Sequence, residues 1–375
     1  MDPMDPIIPR SVSLKPSIRG WGGPFGAGRS RGGVTKVKSY GMRYLNARDL
    51  RALLPMEDAV ACVERAYRWH TSGQGVRWPV ISQVFEPELR DMDIKSGWVR
   101  EGEEGFPRGF FGLKVMGYAG DNPVERGLAA LAGLVVVMDV ETGHPLGLVD
   151  GASLTELRTG AAGAVGARLL ARPGIRRGLI LGTGSQARAQ LAGIAAALPH
   201  VRDVAVAGRN ALAVGRFVGD MAPFFPQISL RPLGWNEVPA AAREAELIVT
   251  CTPASTPILW KGWISPGTHV NAIGADMPEK QEVEASLLEE ARVFADDRAQ
   301  AFSRGECHHA RDRGFLEEGS VREIGEVLLG RAPGRSSEEE ITLFDVTGMA
   351  LQDLAGASRA LARAAELGAG QLLVE

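Results

Sequence analysis

The chain has 375 residues, of which 45% are hydrophobic and 23% are charged, and its formal net charge is −3. Such a length exceeds what one hydrophobic core usually supports, so the sequence predicts two domains. The charge offers no basic field for nucleic acid or an anionic membrane. No apolar run predicts a membrane span or a secretion signal, and three widely spaced cysteines fit a reducing compartment, so we expect a cytoplasmic protein.

The first predicted segment is an arm. Residues 1–40 are rich in Gly, Pro, Ser and Arg and follow no apolar period, which leaves a flexible tail or an ordered strap over a neighbouring subunit as interpretations. From Asn46, apolar spacing of three and four predicts helix, interrupted near Pro55. The stretches from "WPVISQVF" to "LAGLVVVMDVETGHPLGLVDG" predict consecutive strands of one sheet.

The second half alternates between strand and helix patterns. Residues 153–174 predict a small-residue helix that leads into it. The alternation from "RGLILG" to "ARVFADD" predicts a parallel sheet wound with helices. The Ala-rich closing stretch predicts a long helix that returns to the first domain.

A glycine turn lies between a predicted strand and a predicted helix in "GLILGTGSQARAQ". Gly182 permits a tight turn, Gly184 lets a pyrophosphate approach the backbone, and Ala187 keeps the helix close to the sheet. Amides at the helix start would face the anion. The pattern predicts a dinucleotide site, and a glycine turn without a ligand is the alternative.

Arg209 bears on which dinucleotide is bound. It follows the second strand, in "AVAGRN", where NAD-selective proteins place a carboxylate for the ribose 2′-hydroxyl. A guanidinium there can hold a 2′-phosphate, which favours NADPH. The alternative is a solvated arginine beside NADH.

Four charged residues are candidates for the chemistry. Asp276 follows an apolar strand, at the sheet edge where ligands of such folds bind, and could exchange a proton with a substrate; it could also be a turn residue. Lys95 and Lys114 interrupt apolar strands, so each side chain either pairs with a carboxylate or lies on the solvent-exposed face of its strand. Arg158 offers a planar donor fork for carboxylate or phosphate, or a surface salt bridge.

A metal site is not expected. "GECHHA" brings one Cys beside two adjacent His without a separated ligand pair.

Together these stretches resemble the ornithine cyclodeaminase/mu-crystallin family, from about Met42 to the C-terminus. The matching segments include "LKVMGYAGDNP", "LTELRTGAAGAVGARLLARP", "NAIGADMPEKQEV" and "ITLFDVTGMALQDLA". The resemblance implies a dimeric enzyme that moves hydride between nicotinamide and the α-carbon of an amino acid or its imine. It implies an α/β fold, with a Rossmann-type doubly wound parallel sheet and a second α/β domain for substrate binding and dimerisation. The expected ranges are 41–158 with 345–375 for that second domain and 159–344 for the NAD(P)-binding domain.

The resemblance also implies roles for individual residues. Lys114 and Arg158 would engage the substrate carboxylate, and Asp276 would be the catalytic acid/base, with Lys114 beside it. Thr347 would lie in the segment that closes over the nicotinamide and the substrate. The remaining cofactor contacts would be Ser185, Gln186, Thr252, Asn271 and Lys280.

Three departures from the cyclodeaminases limit these implications. Their additional arginine is replaced in "RWPVISQVF" by Ile81 or Ser82, and Arg77 falls before the proline. Lys95, in "MDIKSGWV", replaces a Met-Pro pattern, resembles the branch with iminosuccinate reductase and ectoine-utilisation members, and could supply the missing charge. Val346 replaces a serine.

The sequence alone therefore leaves three alternative functions. The first is an NAD(P)-dependent imine reductase or amino-acid dehydrogenase acting on a small amino or imino acid. The second is an ornithine or lysine cyclodeaminase that releases ammonia, and the third is a non-catalytic, crystallin-like nucleotide-binding protein.

Overall fold

The computed structural model describes residues 41–87, 89–100 and 109–373, which belong to one compact unit. The predicted arm, residues 1–40, lies outside the described residues. Two eight-stranded sheets organise the described chain. Among its helices none is long and apolar enough to cross a membrane.

The first sheet is mixed and mostly antiparallel. Its strands are β1 (Arg43–Leu45), β2 (Gly75–Arg77), β3 (Ile81–Glu86), β4 (Arg90–Val99), β5 (Phe110–Ala119), β6 (Leu131–Asp139), β7 (Pro145–Asp150) and β16 (Gln371–Leu372). Their order is β16-β1-β7-β6-β5-β4-β2, with β3 paired to β4. Side chains of β5 alternate between a buried and an exposed face, as a half-buried strand requires.

The second sheet is parallel throughout. Its strands are β8 (Arg177–Leu181), β9 (Asp203–Ala207), β10 (Ser229–Leu233), β11 (Leu247–Thr250), β12 (His269–Ala272), β13 (Arg292–Ala295), β14 (Arg322–Glu323) and β15 (Thr342–Asp345). The order is β10-β9-β8-β11-β12-β15-β13-β14. The chain leaves β8 toward β9 on one side and later fills β11 on the other, so a crevice is expected at the carboxyl ends of β8 and β11.

The helices cover these sheets. They are α1 (Ala47–Leu53), α2 (Met56–Ser72), α3 (Asn122–Glu125), α4 (Gly151–Leu170), α5 (Ser185–Ala197), α6 (Ala211–Met221), α7 (Val238–Glu244), α8 (Leu287–Glu290), α9 (Arg298–Arg304), α10 (Glu306–Asp312), α11 (Ile324–Leu328) and α12 (Ala350–Leu367). Asn46 caps α1, because its side chain accepts from the amides of Arg48 and Asp49.

Two helices position the site. Helix α4 is buried along most of its length and packs closely on α5, since a Cβ atom at Gly160 would lie only 2.4 Å from the Ala189 carbonyl oxygen. Helix α12 packs against β4, β5 and β6 of the first sheet, although β15, just before it, belongs to the second. Both helices therefore link the two sheets, and both contribute side chains to the site.

The predicted domain boundaries stay a prediction. Strands of the first sheet come from residues 43–150 and 371–372, and strands of the second from residues 177–345. The long helix α4 connects the two sets.

Candidate active site

The glycine turn connects β8 to α5 at the carboxyl end of the parallel sheet. Gly182 has a φ of 135°, and a Cβ atom there would lie 2.8 Å from the Cys251 carbonyl oxygen, so only glycine fits. Gly184 stands at the N-cap of the 13-residue helix α5 and offers no side chain, which leaves the first amides of the helix uncapped.

A cavity of about 1010 Å³ opens over this turn. Gly184, Ser185, Gln186 and Thr252 line it, and a Cβ atom at Gly184 would meet no protein atom within 4 Å. The Gln186 Oε1 atom is buried without a hydrogen-bond partner. An open glycine, uncapped amides and an unsatisfied acceptor are features that fit a dinucleotide.

Three other predicted cofactor residues, Ala187, Arg209 and Asn271, do not line this cavity. Ala187 is buried under the turn, and Arg209 is exposed after β9, where the adjacent Gly208 lies against Thr183 of the turn. Asn271 does not line the cavity: it is buried, donates to the Gly163 carbonyl (2.8 Å) and bonds His269 Nε2 (2.9 Å). The structure therefore places Asn271 behind the site rather than in it.

A second cavity of about 340 Å³ adjoins the first and shares seven lining residues with it. The shared residues are Tyr118, Leu131, Thr155, Arg158, Pro253, Asp276 and Lys280. We call the larger space the turn cavity and the smaller one the inner cavity.

Three buried cations line the inner cavity. Lys95 on β4 lies directly opposite Lys114 on β5, and Arg158 reaches in from α4. Both lysine side chains are buried, so the interpretation that they lie on the solvent-exposed face of their strands is wrong. Lys95 Nζ donates to the carbonyls of Thr347 (2.9 Å) and Gly348 (3.0 Å) instead of meeting a carboxylate.

Asp353 on α12 is the partner of the other two cations, and the sequence did not single it out. Its Oδ1 accepts from Lys114 Nζ (2.9 Å) and Arg158 Nε (3.2 Å), while Oδ2 is buried without a partner. Burial raises the pKa of Asp353, but the Lys114 and Arg158 charges outweigh it, so the pKa lies below its usual value. Asp353 is the carboxylate that hydrogen-bonds Lys114 and Arg158, and Lys95 donates only to carbonyls, so these cations keep charge for the carboxylate of a ligand.

Burial controls the charge of both lysines. It lowers the pKa of Lys95, with a further lowering by Arg158. Burial, opposed by the Asp353 carboxylate and assisted by the Arg158 and Lys95 charges, lowers the pKa of Lys114 to about 7. Lys114 Nζ also donates to Thr155 Oγ1 (3.2 Å).

Asp276 stands where the two cavities meet, 43% exposed, with its Oδ1 2.7 Å from Lys280 Nζ. Burial raises the pKa of Asp276, but the charges of Lys280, Lys95 and Arg158 outweigh that effect and lower the pKa to about 2. Asp276 is therefore a carboxylate at neutral pH.

Thr347 lines the turn cavity and belongs to a loop that is hydrogen-bonded to Asp296. Its amide and hydroxyl both donate to Asp296 Oδ1 (3.1 and 3.0 Å), and the Gly348 amide donates to Asp296 Oδ2 (2.6 Å). The neighbouring Val346 also lines the cavity. Asp296 thus holds the loop whose carbonyls bind Lys95.

The arginine that the cyclodeaminases carry in β3 has no direct replacement there. Ser82 hydrogen-bonds Asp93, and Arg77 pairs with Asp297, away from both cavities. Arg304 on α9 comes to this place instead, 3.3 Å from Ser82 Oγ and 3.7 Å from Asp93 Oδ2.

The residues of "GECHHA" do not form a shared ligand set. His308 faces Asp312 and His309 bonds the Lys280 carbonyl, while Cys307 is buried. In the part of the chain that the structure describes, one group has metal-ligand spacing, His70, Asp297 and Glu323, and Arg77 already pairs with its aspartate.

The chain matches the model of the ornithine cyclodeaminase/mu-crystallin family over residues 44–366. It belongs to this family. Iminosuccinate reductase of Paracoccus denitrificans is 32% identical over 324 residues, 86% of this chain and 97% of that protein. The family and the predicted fold class are confirmed.

Two solved structures of the family resemble this one along nearly their whole length. An archaeal alanine dehydrogenase dimer with bound NAD has a TM-score of 0.81 at 32% identity, covering 89% of this chain and 99% of that chain. Thermococcus litoralis Δ1-pyrroline-2-carboxylate reductase, in complex with NADH and L-proline, has a TM-score of 0.81 at 25% identity, covering 88% and 99%.

Proposed function

We propose that this protein is an NAD(P)-dependent imine reductase or amino-acid dehydrogenase. The observation that carries the proposal is the junction of the two cavities, where buried Lys95, Lys114 and Arg158 face the ionised Asp276 beside the glycine turn. When bound, the nicotinamide supplies or accepts hydride at the α-carbon of an amino acid or its imine. The protein's own residues bind the substrate, place charge around it and handle its proton.

The three cations bind the α-carboxylate of the substrate. Lys114 and Arg158 share Asp353 and keep donors facing the inner cavity, and Lys95 is fixed by two carbonyls. Because these groups are buried, a carboxylate between them exchanges water for short charge-assisted hydrogen bonds. The carboxylate thereby fixes the α-carbon near the turn cavity.

Asp276 handles the proton on the substrate nitrogen. As a carboxylate it accepts a proton from the ammonium of an amino acid during oxidation, and it stabilises the positive iminium nitrogen during reduction. Lys280, 2.7 Å away, holds Asp276 in this state until substrate enters. Gly184, Ser185, Gln186 and Thr252 are the residues that would hold the dinucleotide.

We infer NADPH as the preferred form of the cofactor. Arg209 is exposed next to the glycine turn and has no ion-pair partner within the described residues, so its guanidinium is available to a 2′-phosphate. The related structures hold NAD or NADH, so this preference would be a property of this chain.

We also infer a homodimer. The outward face of the first sheet exposes apolar side chains on neighbouring strands, among them Ile81, Leu113, Val115 and Leu134. Exposed apolar patches of this kind mark protein interfaces.

The test of the proposed reaction is cofactor absorbance, followed with NADPH and NADH in parallel against 2-oxoacids with amines, cyclic imino acids and amino acids. We expect stoichiometric cofactor conversion with one substrate class and a preference for NADPH that Arg209→Asp abolishes. Ammonium release from ornithine or lysine without net cofactor change would instead establish a cyclodeaminase. No conversion with any compound would leave only a nucleotide-binding protein and would refute the proposal.

Asp276→Asn tests the proton-transfer role. Loss of an acid/base group lowers kcat by about 100-fold or more, whereas cofactor affinity, measured by fluorescence titration, stays near the wild-type value. Asp203→Asn is the matched control, because Asp203 is exposed and lies outside both cavities. Equal kcat in the two variants would exclude Asp276 from the chemistry.

A further inference from the structure

Glu282 is a fully buried carboxylate that lines neither cavity. Hydrogen bonds on two sides fix its backbone. Its carbonyl oxygen accepts from the amides of Ile258 (2.7 Å) and Leu259 (3.0 Å), and its own amide donates to Glu306 Oε1 (2.7 Å). The side chain of Glu282 therefore starts from a fixed point in the fold.

The Glu282 carboxylate joins two loops that line the turn cavity. Its Oε1 accepts from the amide and from the hydroxyl of Thr252, after β11 (2.5 and 2.7 Å). Its Oε2 accepts from the amide of Gly274, after β12 (2.7 Å). The two loops are close to each other, since a Cβ atom at Gly274 would lie 2.2 Å from the Thr252 carbonyl oxygen. Glu282 thus binds together the carboxyl ends of two neighbouring parallel strands.

A carboxylate suits this position because three donors converge on its two oxygens. An ionised carboxylate accepts at both oxygens, whereas a side-chain amide has one oxygen and one donor group. Burial raises the pKa of Glu282 to about 7, against the opposing hydrogen bonds from Thr252 and Gly274. Glu282 forms no ion pair among the described residues, and buried groups with shifted pKa values are concentrated at functional sites.

The hydrogen bond to Glu282 determines what the Thr252 side chain can offer a ligand. The Thr252 hydroxyl donates its one proton to the carboxylate, and its Oγ1 accepts from the Ala254 amide (3.3 Å). A hydroxyl oxygen has two lone pairs, so one lone pair remains for a ligand in the turn cavity. Thr252 is thereby an acceptor, which suits a ribose hydroxyl or a carboxamide N–H of a nicotinamide dinucleotide.

The hydrogen bond to Gly274 acts on the loop that carries Asp276. This bond connects the two ends of residues 274–282, and Asp276 lies between them. Within the same loop, the Lys280 amide donates to the Met277 carbonyl (3.0 Å). Because Glu282 sets the distance between the ends of this loop, a change at Glu282 would be transmitted to the Asp276 carboxylate.

We propose that Glu282 is a positioning residue of the reaction. It holds the two loops together so that Thr252 accepts a hydrogen bond from the cofactor and Asp276 stays beside the substrate. The inference rests on the proposed function. Glu282 touches neither ligand and acts through Thr252 and Gly274.

The test measures affinity for the cofactor separately from turnover. Glu282→Gln keeps the shape of the side chain but turns an N–H group toward either the Thr252 amide or the Gly274 amide. At about pH 8, where wild-type Glu282 is ionised, we expect the Kd for NADH and NADPH, from fluorescence titration, to rise by about tenfold, since a hydrogen bond to a charged group is lost. We expect kcat to fall as well, because Asp276 is displaced.

Glu284→Gln is the matched control. Glu284 also accepts from a backbone amide, that of Lys261 (2.8 Å), but it lines neither cavity. Both variants should unfold at a lower temperature than the wild type, and only Glu282→Gln should change the Kd. A Glu282→Gln variant that loses stability and binds NADH and NADPH as tightly as the wild type would have lost a structural residue only, which would overturn the inference.

A double variant tests whether Glu282 acts through Thr252. Thr252→Val should raise the Kd by itself, and adding Glu282→Gln should raise it little further, because both substitutions remove the same hydrogen bond. Two effects that multiply in full would contradict this coupling and overturn the inference.

Hydrogen exchange in the wild-type protein needs no variant to fold. The amides of Thr252 and Gly274 should exchange slowly before any cofactor is added, because the carboxylate already holds them. Rapid exchange at both amides would refute the inference. If the Kd changes as expected but the wild type turns over no compound, the proposed reaction alone is refuted and the placement of Thr252 by Glu282 is supported.

Discussion

The charge of the Lys114 side chain depends strongly on its surroundings. Burial and two neighbouring cations lower its pKa to about 7, against the opposing Asp353 carboxylate. Since the ammonium form binds the substrate carboxylate, kcat/KM should fall as the pH rises through about 7. Asp353→Asn removes the group that raises this pKa, so the fall should begin at lower pH, and a pH profile of kcat/KM measures both effects.

Two variants make this interpretation specific. Lys114→Arg keeps its charge at every accessible pH, so the fall near pH 7 should disappear even if kcat/KM is lower throughout. Asp353→Glu restores a carboxylate and should bring the profile back toward the wild type. A profile of unchanged midpoint in Asp353→Asn would mean that Asp353 has a structural role only.

The sequence predicted the charged residues of this site better than their partners. Lys95, Lys114 and Arg158 interrupt apolar or small-residue stretches, so a buried charge could be expected. Asp353 is also a charged residue on the buried face of its helix, α12. In an Ala-rich helix, however, the sequence does not distinguish a buried carboxylate from a solvent-exposed one. Asn271 has a strand position but faces α4, which no local pattern encodes.

At the scale of elements, periodicity predicted the half-buried strands and helices, and the short apolar runs between turn signals predicted strands such as β11 and β12, which are buried on both faces. It did not predict which elements meet. Asp296 and Asp297, after β13, show the difference: Asp296 holds the Thr347 loop, and Asp297 pairs with Arg77 of β2 and lies 3.6 Å from His70 of α2. This corner connects the two sheets through residues far apart in the chain.

The corner makes stability depend on pH through His70. Burial lowers the pKa of His70, but the hydrogen bond to Glu323 and the charge of Asp297 outweigh it, so the pKa is raised despite the nearby Arg77. A raised folded pKa stabilises the protein below about pH 6.5, and the gain is lost as the pH rises through the folded value. His70→Gln should therefore cost about 0.5–1 kcal/mol at acidic pH and almost nothing at alkaline pH.

Denaturant unfolding at about pH 5.5 and about pH 9 checks this difference. The matched control is His200→Gln, because His200 is exposed and makes no ion pair in the described chain. An equal loss of stability at both pH values in His70→Gln would mean that packing, not charge, explains the role of His70.

At the scale of the whole molecule, the first sheet exposes an apolar face, and binding of a partner chain would bury it. Val115 on β5 lies directly opposite Leu134 on β6, and both are exposed, as are Leu113 and the edge residues Ile81 and Phe85. The opposite face of the same strands carries Lys114 and Met116 toward the inner cavity. A partner seated on the outer face would therefore stiffen the strands that hold the substrate.

Val115→Glu tests the dimer that we infer, because Val115 belongs to this face and lines neither cavity. A carboxylate at the centre of a buried apolar face has no partner, so the dissociation constant should rise by about 100-fold or more, which light scattering over a dilution series measures. Leu212→Glu on α6 is the control, because Leu212 is 76% exposed and lies far along the chain from that sheet. If Val115→Glu stays dimeric at concentrations where the control does, another surface forms the dimer. If it is monomeric and kcat/KM falls with it, the active site depends on assembly through the strands that bear Lys95 and Lys114.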